Sequence, residues 1–102
     1  MNNREIVDYI LREKIEIIKT CGACPEQYDV FVKENNEKIK IGYLRLRWGR
    51  FTVEYPSAGG ECIYEKTFHD PYKGHFDNEE ERQHYLDIAI RFLIIKYIRE
   101  GM

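Results

Sequence analysis

Residues 85–98, YLDIAIRFLIIKYI, constrain this chain more than any other stretch. Eleven of the fourteen are apolar or aromatic, only Asp87, Arg91 and Lys96 are charged, and there is no Gly or Pro. A bilayer span needs about 20 mainly apolar residues. This run is too short and too charged for that, and it reads as a helix buried on most sides. Asp77 is placed to cap its start with Glu80 at capping-box spacing, and Glu79, Glu80 and Glu81 stand at the positive end of the dipole. Lys96 and Arg99 fall near the negative end, and Gly101 suits the close. A polar stripe begins at Asp87 and Arg91 but, continued at helical spacing, meets Ile94 and Ile98. Such a helix needs a sheet on one side and a second cover over Ile94 and Ile98. The first helix is one candidate cover; a second copy of the chain is the other. The expectation drawn is a homo-oligomer through residues 90–98.

The rest of the chain supplies those layers. Asn3 to Lys19 reads as a first helix, with Ile6, Val7, Ile10, Leu11, Ile17 and Ile18 at three- and four-residue spacing, ending at Cys21-Gly22. Four strand-like runs follow. Tyr28 to Lys33 alternates, Asn35-Asn36 turns, and Val32 then faces Ile39 while Val30 faces Ile41. Ile39 and Ile41 are out of phase with Leu44, Leu46 and Trp48, so a β-bulge is expected at Gly42-Tyr43. With Gly49-Arg50 as a type II′ turn, Trp48 faces Phe51, Leu46 faces Val53 and Leu44 faces Tyr55. The opposite side then pairs Arg47 with Thr52 and Arg45 with Glu54. Cys62 to Phe68 is the fourth strand, and Thr67 to Asp77 a loop rich in His, Tyr, Lys and Asp.

The fold expected is therefore α+β, one domain over residues 1–102. It is a two-layer sandwich in which a four-stranded antiparallel meander carries the N- and C-terminal helices on one face, in the order α-β-β-β-β-α. Asp29, Phe31, Lys33, Lys40, Arg45, Arg47, Thr52, Glu54 and Glu65 would line the other face.

Charge narrows the function. The formal net charge is −2, which argues against general nucleic-acid binding. Yet Lys38 to Arg50 holds five basic residues and no acid, whereas Asp70 to Glu81 holds five acids, so a local anion site is compatible with an acidic chain. The opening MNNREIVDYILREK is charged throughout and reads as no secretory signal. With three cysteines, an odd number, the expectation is a cytoplasmic protein with reduced thiols and no membrane association.

Several chemistries can be weighed by residue type. Cys21-Gly-Ala-Cys24 has zinc-knuckle spacing, and Cys62 with His69 or His75 would complete a Cys₃His set. A strong zinc signal shows two such pairs and here there is one, so no cofactor is expected and the alternative is a helix cap with small buried thiols. The loop HDPYKGHFD does not suit calcium, because His69, Pro71 and Lys73 fall where an EF-hand places its first three oxygen ligands. Ser57 lacks a nucleophile elbow. His69, Asp70 and His75 could do acid–base work, but nothing sets a nucleophile or substrate beside them. There remain Tyr43, Arg45, Arg47 and Arg50. Arginine's planar fork binds phosphate bidentately, and an adjacent aromatic can stack on a base or ribose. The competing reading is a solvated face with Arg45–Glu54 as a surface pair worth about 0–1 kcal/mol.

CPEQYDVF (Cys24 to Phe31) and GYLRLRWGRFTVEYP (Gly42 to Pro56) resemble stretches of small proteins encoded by phages and bacteria, and the likeness extends to GGECIYE and the Phe76-Asp77 helix start. The pattern carries no catalytic residue across. What the resemblance implies is a phage or mobile-element accessory protein, of the kind that inhibits or binds host machinery, including by sequestering nucleotide signals. The expectation is thus a non-enzymatic binder of a nucleotide-like anion, with Tyr43, Arg45, Arg47, Arg50, His69 and Tyr72 as contacts. The alternatives are a protein-interaction module that inhibits a host protein, using the sheet face or the acidic helix start, and third a small enzyme acting through His69, Asp70 and His75.

Overall fold

The computed structural model describes residues 2–101. The fold is α+β: α1 (Asn3–Glu13), β1 (Ile15–Gly22), β2 (Glu26–Glu34), β3 (Glu37–Arg47), β4 (Arg50–Tyr55), β5 (Glu61–Thr67) and α2 (Glu79–Gly101). All strand pairs are antiparallel, in the order β1-β2-β3-β4-β5. Among the described residues no helix is long and apolar enough to cross a membrane.

The sheet has five strands, not four, because the expected first helix stops early. Asn2 caps α1 by accepting from the Glu5 N–H, and the Lys14 N–H closes it on the Ile10 carbonyl. The Lys14 carbonyl then accepts from the Lys33 N–H at 2.7 Å, opening β1. Residues 15–20, IEIIKT, are rich in β-branched side chains that fit a pleated surface, and β1 satisfies the backbone edge that β2 would otherwise expose. Cys21 and Gly22 therefore pair with Gln27 and Glu26 instead of capping a helix. At the other side of the sheet β5 begins at Glu61 and ends at Thr67.

Asn35 and Asn36 turn β2 into β3 with positive φ at both positions, and Val32 faces Ile39. Val30, however, pairs with Gly42 and Phe31 with Lys40, so Ile41 is the extra residue of the bulge, one position before the expected site. The displacement has a packing cause. It turns Ile41 into the core and sets Gly42 against α2, where a methyl would run into the buried Leu93 side chain.

The buried apolar side chains of β2, β3 and β4 (Val30, Leu44, Leu46, Phe51 and Val53 among them) lie on one face. They join Val7 and Ile10 of α1 and Leu86, Ala89, Ile90, Leu93 and Ile94 of α2 in one hydrophobic cluster. Ile94 is thus fully buried within a single chain and Ile98 half-buried, so the apolar surplus expected at these two positions is largely absorbed without a second copy. The apolar residues that α2 does leave exposed are Phe92 and Ile95. At the start of α2 the cap lies one residue later than expected. Asn78 accepts from the Glu81 N–H at 2.8 Å, and the Glu81 carboxylate accepts from the Asp77 N–H at 3.0 Å. The last residue of the helix is Gly101.

Candidate ligand-binding corner of the sheet

The corner is built on the β3–β4 turn. Trp48 and Gly49, not Gly49 and Arg50, are its two central residues, both with positive φ (54° and 72°). That is the requirement of a type I′ turn. The register moves accordingly: Arg47 faces Arg50, Arg45 faces Thr52, Leu46 faces Phe51, Leu44 faces Val53 and Tyr43 faces Glu54. The expected pairs Trp48–Phe51, Leu46–Val53, Leu44–Tyr55, Arg47–Thr52 and Arg45–Glu54 are all replaced. The faces survive, because moving the turn by one residue shifts each partner by two and two is the strand period.

Trp48 consequently leaves the core. It is 66% exposed, at a backbone conformation that bulky side chains rarely adopt. The Arg47 guanidinium lies 5.7 Å from its ring centroid, within cation–π range. Gly49 is needed beside it. Its N–H donates to the Lys73 carbonyl at 2.8 Å, its carbonyl accepts from the Phe68 N–H at 2.7 Å, and a side chain there would strike the Asp70 carbonyl. The segment between β5 and α2 is in this way clasped onto the turn.

That segment is fixed from beneath. Phe76 is buried in an aromatic cluster, edge-on to Phe51 (centroids 5.4 Å apart) and stacked on Tyr85 at 5.7 Å. Its N–H donates to Glu26 Oε1 at 3.0 Å. Glu26 also takes Arg82 Nε at 2.8 Å, Arg82 Nη2 at 3.2 Å and the Tyr28 hydroxyl. Burial opposes ionisation of Glu26, but the hydrogen bonds from Arg82, Tyr28 and Phe76 win and hold its carboxyl below the ordinary 4.5. The same burial and the Glu26 charge push the Tyr28 phenol well above its usual range. Lys73, almost as buried, pairs with Asp77 at 2.8 Å and Glu81 at 2.9 Å and lies over the Phe68 ring. Between these anchors an Asp70 carboxylate accepts the Tyr72 N–H at 2.9 Å, and the Tyr72 side chain stands 77% exposed.

The residues expected from sequence divide accordingly. Arg45, Arg47 and Arg50 share the outer face at the turn end, and His69 and Tyr72 ride on the segment docked against that turn. Tyr43 is four residues from Arg47 along β3, about 14 Å at strand rise. Its hydroxyl is engaged with Gln27, and burial raises its pKa against the opposing charge of Arg45. Arg50 is paired with Glu65 at 2.6 Å. Among the described residues Arg45 and Arg47 have no ion-pair partner. Between Arg45 and Glu65, across the strands, the Thr52 hydroxyl is buried and has no hydrogen-bond partner. Trp48 and Thr52 are the corner residues that sequence reasoning did not assign to a ligand.

The other chemistries are not assembled. Cys21 and Cys24 lie at the β1–β2 end and Cys62 on β5, at opposite edges of a five-stranded sheet, roughly 19 Å apart at the usual strand spacing. Among the described residues no group of three or more His, Cys, Asp or Glu is placed to hold a metal ion. Nor is there a hydrogen bond among His69, Asp70 and His75. His75 Nδ1 lies 3.0 Å from the Phe76 carbonyl, and Asp70 is spent on the Tyr72 backbone. Compared with protein-family models, curated proteins and solved structures, the chain matches none.

Proposed function

We propose that the protein is a non-enzymatic binding protein for a nucleotide-like anion. The base stacks on Trp48, with Tyr72 and His69 beside it, and the phosphate is held by Arg45 and Arg47, with Arg50 at the edge. The observation that carries the reading is Trp48 itself. An indole at positive φ is unfavourable for the backbone, and its exposure is unfavourable for hydration. A strained, exposed aromatic beside the Arg47 guanidinium, with Arg45 two residues along the same face and neither arginine in an ion pair among the described residues, is better explained by a ligand than by folding. Such a site suits an accessory role in which a nucleotide signal is sequestered in the cytoplasm.

The same outer face also suits the second reading, an inhibitor that docks on a host protein. The acidic helix start favours it less. Glu81 is occupied by Lys73, and Glu79 by Arg82 and Gln83. Calorimetric titration with nucleoside mono-, di- and triphosphates tests the first reading. Arg45→Ala with Arg47→Ala should leave the fold intact, because both side chains lie on the outer face. Charge-assisted contacts are worth about 1.5–3 kcal/mol each, so affinity should fall by about two decades or more. Unchanged affinity, or no binding across the series, would favour the protein-interaction reading.

A further inference from the structure

A second site lies on the far side of the molecule, where the start of α1 meets the end of α2. A cleft of about 390 Å³ opens between the helices, floored by Ile6, Val7, Ile95 and Ile98. That volume is within the range of small-ligand sites. Arg4, Arg91 and Arg99 complete its lining, together with Asn3, and no carboxylate lines it. Arg91 is committed, with Nη1 on Asp8 at 2.7 Å and Nε on Asp87 at 3.0 Å. Arg4 and Arg99 are exposed and, among the described residues, have no ion-pair partner. The positive end of α1 adds to their field and the negative end of α2 subtracts from it. The two guanidinium groups therefore decide the sign. An apolar floor beneath two exposed guanidinium groups that hold no ion pair among the described residues, with Asp8 of the Arg91 pair acting on Arg4 only at longer range, is complementary to an amphiphile with a single anionic head.

The geometry points to a medium-chain fatty acid as the occupant, its tail on Ile6, Ile95 and Ile98 and its carboxylate between Arg4 and Arg99. A second copy of the chain fits less well, since a two-fold contact at this cleft would set Arg4, Arg91 and Arg99 against their own images. A partner helix fits less well too. A stable protein interface buries on the order of 1,000 Å² or more, whereas Ile95 is the one floor residue that is exposed, and only 37% so. The site is separate from the Trp48 corner and does not depend on what binds there.

Titration of the full chain with decanoate below its micelle concentration, followed by heteronuclear NMR, tests the assignment. Saturable one-to-one binding is expected, with shifts centred on residues 3–7 and 91–99. Each buried methylene is worth roughly fourfold in affinity, so decanoate, with two more, should bind about fifteenfold tighter than octanoate. Arg4→Ala with Arg99→Ala should weaken decanoate about tenfold or more and leave decanol unchanged, while Ile95→Glu should abolish binding of both. Decanoate and decanol bound alike by wild type and double variant would overturn the carboxylate site. So would binding to anionic vesicles without binding of monomeric decanoate. A two-chain mass that Ile95→Glu reduces to one, with no decanoate bound by the wild type, would mean that the surface is a self-interface and would overturn the proposal as well.

Discussion

Glu26→Gln should be among the most destabilising single changes in the chain, although it alters one side chain by a single atom. The wild-type carboxylate is 1% exposed and receives four donors: Arg82 Nε–H and Nη2–H, the Phe76 N–H and the Tyr28 hydroxyl. A carboxylate can accept all four, whereas an amide offers one oxygen and turns an NH₂ toward the remaining donors. Each buried donor left unsatisfied costs about 1–3 kcal/mol. Breaking a buried ion pair by removing one partner typically costs about 3–5 kcal/mol. Arg82 keeps Glu79 at 2.7 Å and is partly exposed, so the lower end applies and the expected loss is about 3 kcal/mol. That is a large part of the roughly 5–15 kcal/mol that holds a domain together. Urea denaturation at pH 7 measures it. The sign of the pH dependence follows from the depressed folded pKa of Glu26. Its contribution is present above the unfolded value and is lost as pH falls through the folded one. The gap between wild type and variant should therefore be full near neutrality and narrow below pH 4.5. A loss under about 1 kcal/mol at pH 7, or a gap that widens in acid, would refute the reasoning.

Gly42→Ala should cost about 1–3 kcal/mol by overpacking against Leu93, read as a lower urea midpoint at unchanged slope. Gly49→Ala should cost about 1–2 kcal/mol for the left-handed backbone alone. By pushing on the Asp70 carbonyl it should also free the docked segment and raise hydrogen exchange at Phe68 and Gly49. Protected amides at those two positions in the variant would count against the clasp.

The long helix and the sheet faces are legible in sequence because both rest on apolar periodicity over many residues. What is not legible was decided by tertiary partners. Ile10, Ile17 and Ile18 fit a helical stripe, but Ile15, Ile17 and the β-branched Thr20 also fit a strand, and only the open edge of β2 chooses between them. In the β3–β4 hairpin both candidate turns keep Leu44, Leu46, Phe51 and Val53 inward, so the pattern cannot separate them. The backbone bonds from Gly49 to Phe68 and Lys73, about twenty residues away in sequence, accompany the turn that forms. The cap of α2 falls on Asn78 and not on the expected Asp77, and spacing does not separate them, since Glu81 follows Asn78 as Glu80 follows Asp77. Glu26 gave no signal at all. A glutamate ahead of a strand reads as solvent-facing until Arg82, fifty-six residues later, is folded over it.

Because Trp48 is the chain's one tryptophan, its emission reports on the corner without labelling. A titration of that fluorescence with nucleoside phosphates tests the central claim most directly. Stacking on the indole with the phosphate on Arg45 and Arg47 predicts saturable quenching at micromolar nucleotide. The matching nucleoside and inorganic phosphate should each need far higher concentrations, and Arg45→Ala with Arg47→Ala should shift the curve to the right. Emission that stays unchanged to millimolar nucleotide, or that falls linearly without saturation and equally for nucleoside and nucleotide, would contradict the account.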